Sequence, residues 1–244
     1  MTFHLITLFP GAFDSYLGES ILKRSIEDKK IKVKFYNPRD FADNKHDRVD
    51  RKPFGGGPGM VIQALPVIRA IEKSIKSIKS VKSTRPNVPE SARYGREVKI
   101  IWLTPSGTQF TNDSARTVAK KYEHVIIICG RYEGIDARVK KVLNSTPITN
   151  GERITRIRVE EISVGPFVLT GGELPAMIII DAISRQVQGV LGDFNSLEES
   201  RVASSDVYTR PEVFEYKKKK YRVPKILLSG HHKKIEEWKK KYKV

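Results

Sequence analysis

Cysteine is all but missing from this chain: Cys129 stands alone, which excludes an internal disulfide framework and any multi-cysteine zinc site. It lies in the apolar run VIIIC, where a buried small hydrophobe is the expected role. The five histidines, His4, His46, His124, His231 and His232, form no recognisable metal-ligand spacing, so no metal site is predicted from them. Long apolar runs are missing too. Nothing approaches the roughly 18 to 20 residues that a membrane span needs, and the opening MTFHLITLFPGAF lacks the basic region, apolar stretch and cleavage site of a secretory leader. The expectation is a cytoplasmic protein that does not enter a membrane. Neither G-x-G-x-x-G nor G-x-x-x-x-G-K-[ST] occurs, which disfavours a dinucleotide fold or a P-loop. Acidic residues are scarce: 28 Asp and Glu face 45 Lys and Arg, a net charge of +17 that favours a polyanionic partner.

What is present alternates. Phe3 to Phe9 is predicted as a buried strand, followed after Pro10-Gly11 by a helical stretch through Tyr16, Ile21 and Ile26. Ile31 to Tyr36 is a second strand, and RKPFGGGPGM is too rich in Gly and Pro for regular structure. A helix is predicted from about Leu65 to Ile78, running into the Lys- and Ser-rich segment 73–97, read as a helix tail and mobile loop. Two strand-then-loop units follow, VKIIWL with TPSG and HVIIIC with GRYEGID, around a helix at Ser114 to Tyr122. ERITRIRVEEISV is a hairpin or an extended strand, and FVLTGGELPAMIIIDAISRQVQGVLG a short strand, a turn and a long helix. This order implies an α/β fold with a mainly parallel sheet.

Three domain segments result: 1–192, a linker 193–205 of low apolar content, and 206–244, a small, mostly helical unit. From Tyr216 to Val244 there are twelve Lys and Arg against two Glu, so the charge concentrates where a small domain can grip a phosphate backbone. The adjacent His231 and His232 do not face each other on a helix start, so packing and RNA contact are expected rather than metal binding.

Three glycine-containing loops, TPSG, CGRYEG and SVGPFVLTGGELP, each lie at or near the end of an apolar strand, where open α/β sheets place their ligand crevice. Together they predict one small-ligand site. At this point LFPGAF, YNPRDF, HDRVDRKPFGGGPGM, CGRYEGID, VLTGGELPAM, YTRPEVF and LLSGHH, in this order, resemble the bacterial tRNA (guanine-37-N1)-methyltransferases. The resemblance runs from about Ile6 to Trp238. It implies the SPOUT fold with its deep trefoil knot, and a homodimer whose active site is built across the subunit interface. It also implies S-adenosylmethionine as cofactor, magnesium as a second candidate, and the tRNA anticodon stem-loop as partner.

Carried onto this chain, the resemblance places the donor among Thr104, Pro105, Gly130, Tyr132, Gly171 and the run Val164, Gly165, Pro166, Phe167, Val168, Leu169. Main-chain groups in such a Gly-, Pro- and aliphatic-rich site read polar atoms without charged side chains. Methylation of a guanine N1 needs a base for the N1 proton and a cation near O6. The resemblance supplies Arg185 for the charge and Glu199, in Glu198-Glu199-Ser200, for the base, with Glu198 and Asp206 as the other linker candidates. Tyr132 would stack on the target base, Arg131 and Glu133 would contact its edge or phosphates, and Asp50 would meet tRNA or the facing subunit. Two departures stand out. Pro166-Phe167 replaces the usual Asp-Tyr, which lowers the expected donor affinity. The segment between Arg138 and Ser163 is long enough for an added hairpin. A non-catalytic or weakly active RNA-binding relative is the alternative these departures leave open.

Overall fold

Buried residues arrive here in nearly continuous, mostly apolar runs, such as HLITL, KIIW and VIIIC, because the central strands are covered on both faces rather than one. The computed structural model describes residues 1–78, 98–145, 148–150, 153–155, 159–192 and 206–241. In chain order its regular elements are β1 (Thr2–Ile6), α1 (Asp14–Leu17), α2 (Ser20–Glu27), β2 (Lys32–Tyr36), β3 (Asp50–Arg51), β4 (Val61–Ile62) and α3 (Ala64–Ser77). There follow β5 (Val98–Gln109), α4 (Asn112–Lys121), β6 (His124–Ile128), α5 (Arg138–Ser145), β7 (Ile148–Asn150), β8 (Arg153–Thr155), β9 (Val159–Ser163) and α6 (Glu173–Ser184). The chain closes with β10 (Val213–Tyr216), β11 (Lys219–Arg222) and α7 (His232–Lys241). Two compact units divide at Leu191 and Gly192.

The first unit holds a five-stranded sheet in the order β2-β1-β6-β5-β9, every neighbouring pair parallel. The α/β class and mainly parallel sheet expected from the sequence are what the structure has. Alternation along each strand divides the core. Phe3, Leu5, Ile101, Val125 and Ile127 face a layer containing Leu22 of α2, Ala115 and Val118 of α4, and Ile179, Ile180 and Ile183 of α6. Ile6, Ile100, Trp102, Ile126 and Ile128 face Val67, Ala70, Ile71 and Ile75 of α3 with Val139 and Leu143 of α5.

The structure corrects several local expectations. TPSG is not simply a loop after β5: the strand continues to Gln109 across an irregularity, so that both Leu103 and Thr108 align with Ile162 of β9. A Cβ on Gly107 would lie 2.6 Å from the Ile162 backbone, an approach only glycine permits. Phe167 to Leu169 forms no strand. The added hairpin is present as the antiparallel pair β7 and β8. The linker 193–205 and most of the Lys- and Ser-rich segment, from 79 to 97, lie outside the described residues.

The second unit carries more than helix. Its hairpin, β10 with β11, precedes a 3-10 turn at Lys225–Leu228 and α7, with Tyr208 and Trp238 packed ring to ring at 6.3 Å. His231 and His232 are both exposed, so the packing expected of them is not found; the charged sequence around them leaves little apolar surface to cover them.

Candidate active site

The carboxyl ends of β5, β6 and β9 lie side by side, and backbone contacts tie their loops together. β6 runs straight into CGRYEG, where the Gly130 carbonyl accepts from the Gly172 N–H at 2.8 Å and Arg131 bridges to Gly171. A Cβ on Gly172 would stand 2.6 Å from the Cys129 Cα, so glycine is what lets α6 start against β6. After β9 the Ser163 hydroxyl donates to the Gly165 carbonyl at 2.9 Å and accepts from the Gly165 N–H at 3.2 Å, folding the loop back. The Phe167 ring covers Gly165 so closely that a Cβ there would lie 2.2 Å from it.

The three loops enclose a cleft of about 420 Å³. Thr104, Pro105, Gly130, Tyr132, Val164, Gly165, Phe167, Val168, Leu169 and Gly171 all line it, as do Arg131 and Glu133. Pro166 does not. Among the described residues five glycines and two prolines contribute to the wall, so main-chain groups and apolar surface dominate it. Tyr132 adopts a left-handed conformation, φ 59°, and its ring is half exposed at the mouth; a bulky residue there costs backbone energy and marks a constrained loop.

Among the described residues two cations border the cleft, Lys140 and Arg131, and both are engaged. Lys140 Nζ donates to Glu161 Oε1 at 2.9 Å and lies over the Trp102 ring. Arg131 Nε sits 2.8 Å from Oε2 of Glu173, a carboxylate only 3% exposed at the first turn of α6, where the helix N-terminus favours negative charge. That contact is an ion pair rather than an aligned hydrogen bond. The Thr7 hydroxyl donates to the other oxygen, Oε1, at 2.7 Å, and the Arg131 guanidinium lies 4.5 Å over the Phe9 ring. The Cys129 thiol beneath is pushed well up, first by burial and then by Glu173, against the opposing pull of Arg131; it stays protonated and inert.

Sequence reasoning missed Trp102, Ser163 and Lys140 in the wall, and the Thr7–Glu173–Arg131 group behind it. Glu173 stands in GGELP as an ordinary helix-first acid, and nothing local signals that it is buried against residues 42 and 166 positions away. Other predicted residues stand apart. Asp50 is on the ribbon of β3 and β4, which abuts the CGRYEG loop through the Ile62 N–H and the Gly134 carbonyl at 3.0 Å, yet it does not line the cleft. Arg185 caps the far end of α6, about 18 Å of helix from the end that borders the cleft. Glu198 and Glu199 lie outside the described residues, and Asp206 opens the described part of the second unit. Among the described residues no group of three or more His, Cys, Asp or Glu is placed to hold a metal ion, and no helix is long and apolar enough to cross a membrane.

The family model described as tRNA (Guanine-1)-methyltransferase TrmD matches residues 1–244. Curated relatives agree. A tRNA (guanine-N(1)-)-methyltransferase of Clostridioides difficile (strain 630) is 42% identical over 248 residues, covering 100% of this chain and 93% of the relative. One of Caldanaerobacter subterraneus subsp. tengcongensis is 42% identical over 244 residues, 98% of this chain and 86% of the relative, and one of Thermomicrobium roseum is 41% identical over 243 residues, 98% and 78%. With the match running the whole length of the chain, and with the glycine loops assembled into one cleft at the carboxyl ends of its strands, the chain belongs to the tRNA (guanine-1)-methyltransferase family.

Proposed function

We propose that this chain methylates N1 of guanosine 37 in tRNA, next to the anticodon, with S-adenosylmethionine as donor. The observation that carries the reading is the convergence of all three loops on one cleft in a chain that matches the family throughout. The cleft suits the donor in size and in its wall of glycine, proline and aliphatic residues, with both bordering cations already paired. When bound, the donor supplies a methyl group made electrophilic by its sulfonium. The chain's part is alignment and proton removal.

In this reading Tyr132 stacks on the guanine, Glu133 contacts its edge, and Arg131, already held by Glu173 and Phe9, fixes the loop that presents both. Glu199 takes the N1 proton as the nitrogen gains its methyl, and Arg185 offsets negative charge developing at O6. Because Arg185 lies a full helix from the cleft in its own chain, the second subunit of a homodimer is the source that fits. An apolar face supports the dimer: Leu174 and Ile178 stand exposed on α6, beside Tyr16, whose hydroxyl bonds Asp181 on the same helix. Asp50 then meets tRNA or the facing subunit, the trefoil knot belongs to the same proposal, and the setting is cytoplasmic.

Incubation with unmodified tRNA and labelled donor, with and without a G-to-A change at position 37, tests the reading. Label is expected only in the unchanged tRNA; methylation of the changed one overturns the site assignment. Chelation in the same assay tests the magnesium requirement implied by the resemblance, with turnover expected to fall. An Ile178→Glu variant is expected to sediment as a monomer and lose turnover.

A further inference from the structure

The hairpin of the second unit carries an apolar face that its own unit does not cover. Phe214 and Tyr216 on β10 face the same side as Tyr221 and Lys219 on β11, because strand pairing sets Phe214 opposite Tyr221 and Tyr216 opposite Lys219. The Phe214 and Tyr221 rings stack at 5.2 Å with 14° between their planes, and all three aromatics are about half exposed. A two-stranded ribbon is marginal alone, and three uncovered aromatics on it mark a surface that something else covers.

Charge identifies the occupant. From Lys217 to Arg222 the chain carries five cationic residues and no acid. Two of them form the tip: Lys217 and Lys218 take φ of 48° and 61°, the two-residue turn that ordinarily selects Asn-Gly. Lysine at both positions costs backbone energy without helping the turn, while it projects two ammonium groups, one over the Tyr216 ring at 5.4 Å. Aromatic faces bordered by cations suit unpaired nucleotides, whose bases stack while their phosphates meet the lysines.

We infer that this hairpin is a stacking platform for an unpaired nucleotide of the RNA substrate. The inference rests on the tRNA reading above for its substrate.

The test uses the full chain and tRNA labelled in turn with 2-aminopurine at each unpaired position other than 37, which the Tyr132 ring is already placed to stack on. Binding quenches the probe at one position, and a Phe214→Leu/Tyr221→Leu variant, which keeps the ribbon apolar, loses that quenching and about 5- to 150-fold in affinity. A Lys217→Asn/Lys218→Gly variant separates turn from charge. It supplies the residues the turn prefers, so the hairpin is at least as well formed, yet tRNA affinity falls and the log-log salt dependence becomes shallower by about 1.4 to 1.8, the value of two phosphate contacts. Quenching at no position, or affinity and salt dependence unchanged in both variants, overturns the inference. Failure of the wild-type chain to methylate any tRNA strikes the tRNA reading instead.

Discussion

His4 offers the most quantitative handle on this fold. It is fully buried on β1, on the face that packs against α3, and is held in a directed chain of hydrogen bonds. Ser77 Oγ donates to the Ser74 carbonyl at 2.7 Å, so it accepts from the Tyr36 hydroxyl at 2.6 Å. Tyr36 must then accept from His4 Nδ1 at 3.1 Å, leaving His4 Nε2 to accept from His124 Nδ1 at 3.1 Å. This neutral tautomer satisfies every group, and a second proton on His4 would point at another donor. Burial first, then the charges of His124 and Lys34, push the His4 pKa down from 6.5 to about 3.

The folded state therefore binds its proton far later than the unfolded chain does. The stability that follows is fully present above pH 6.5 and is lost progressively as pH falls from there towards 3. Each pH unit over which the unfolded chain holds a proton that the folded state lacks costs about 1.4 kcal/mol, so acidification from pH 7.5 to 5 removes about 2 kcal/mol through His4 alone. His124, also lowered chiefly by burial, acts in the same direction. Urea denaturation across this range, followed by Trp102 fluorescence in a Trp238→Phe background, measures the loss. A His4→Gln variant keeps a donor and an acceptor but cannot titrate, so its stability should fall about 2 kcal/mol less over the same interval. Equal pH dependence in the two proteins would contradict this account of His4.

Other outcomes follow from the site. Gly172→Ala, whose Cβ has no room against the Cys129 backbone, is expected to destabilise the first unit by about 1–3 kcal/mol and weaken donor binding, read by urea denaturation and calorimetry. Arg131→Met strands the buried Glu173 carboxylate beside Thr7 alone, a loss of about 3–5 kcal/mol in the same denaturation assay; a change under about 1 kcal/mol argues against the pair's structural role. Glu199→Gln is expected to lower kcat at least about 100-fold while leaving donor affinity in place, and unchanged turnover rejects it as the base.

The strands of the first unit were legible because a parallel sheet covered on both faces demands continuous apolar residues, and HLITL, KIIW and VIIIC supply them. Glycine loops at strand ends were legible for the same local reason. FVL misleads as a strand because three apolar residues close to glycine satisfy that pattern, while the chain is turned just before them, where the Ser163 hydroxyl bonds Gly165. TPSG misleads as a plain loop because its second pairing, with Ile162, depends on a strand that begins 51 residues after Thr108.

The α/β class, the basic tail, the lack of disulfides and the loops that carry the site's glycines can all be read from the sequence, because they follow from composition and from periodicities of a few residues. Other facts needed the folded chain: that the loops share one cleft, that Lys140 and Trp102 help to wall it, that Thr7 and Glu173 hold Arg131, and that Arg185 stands away from it in its own chain. Those depend on the parallel strand order and on backbone approaches such as Gly172 to Cys129. The energies involved arise between residues far apart in sequence, where local pattern carries no information.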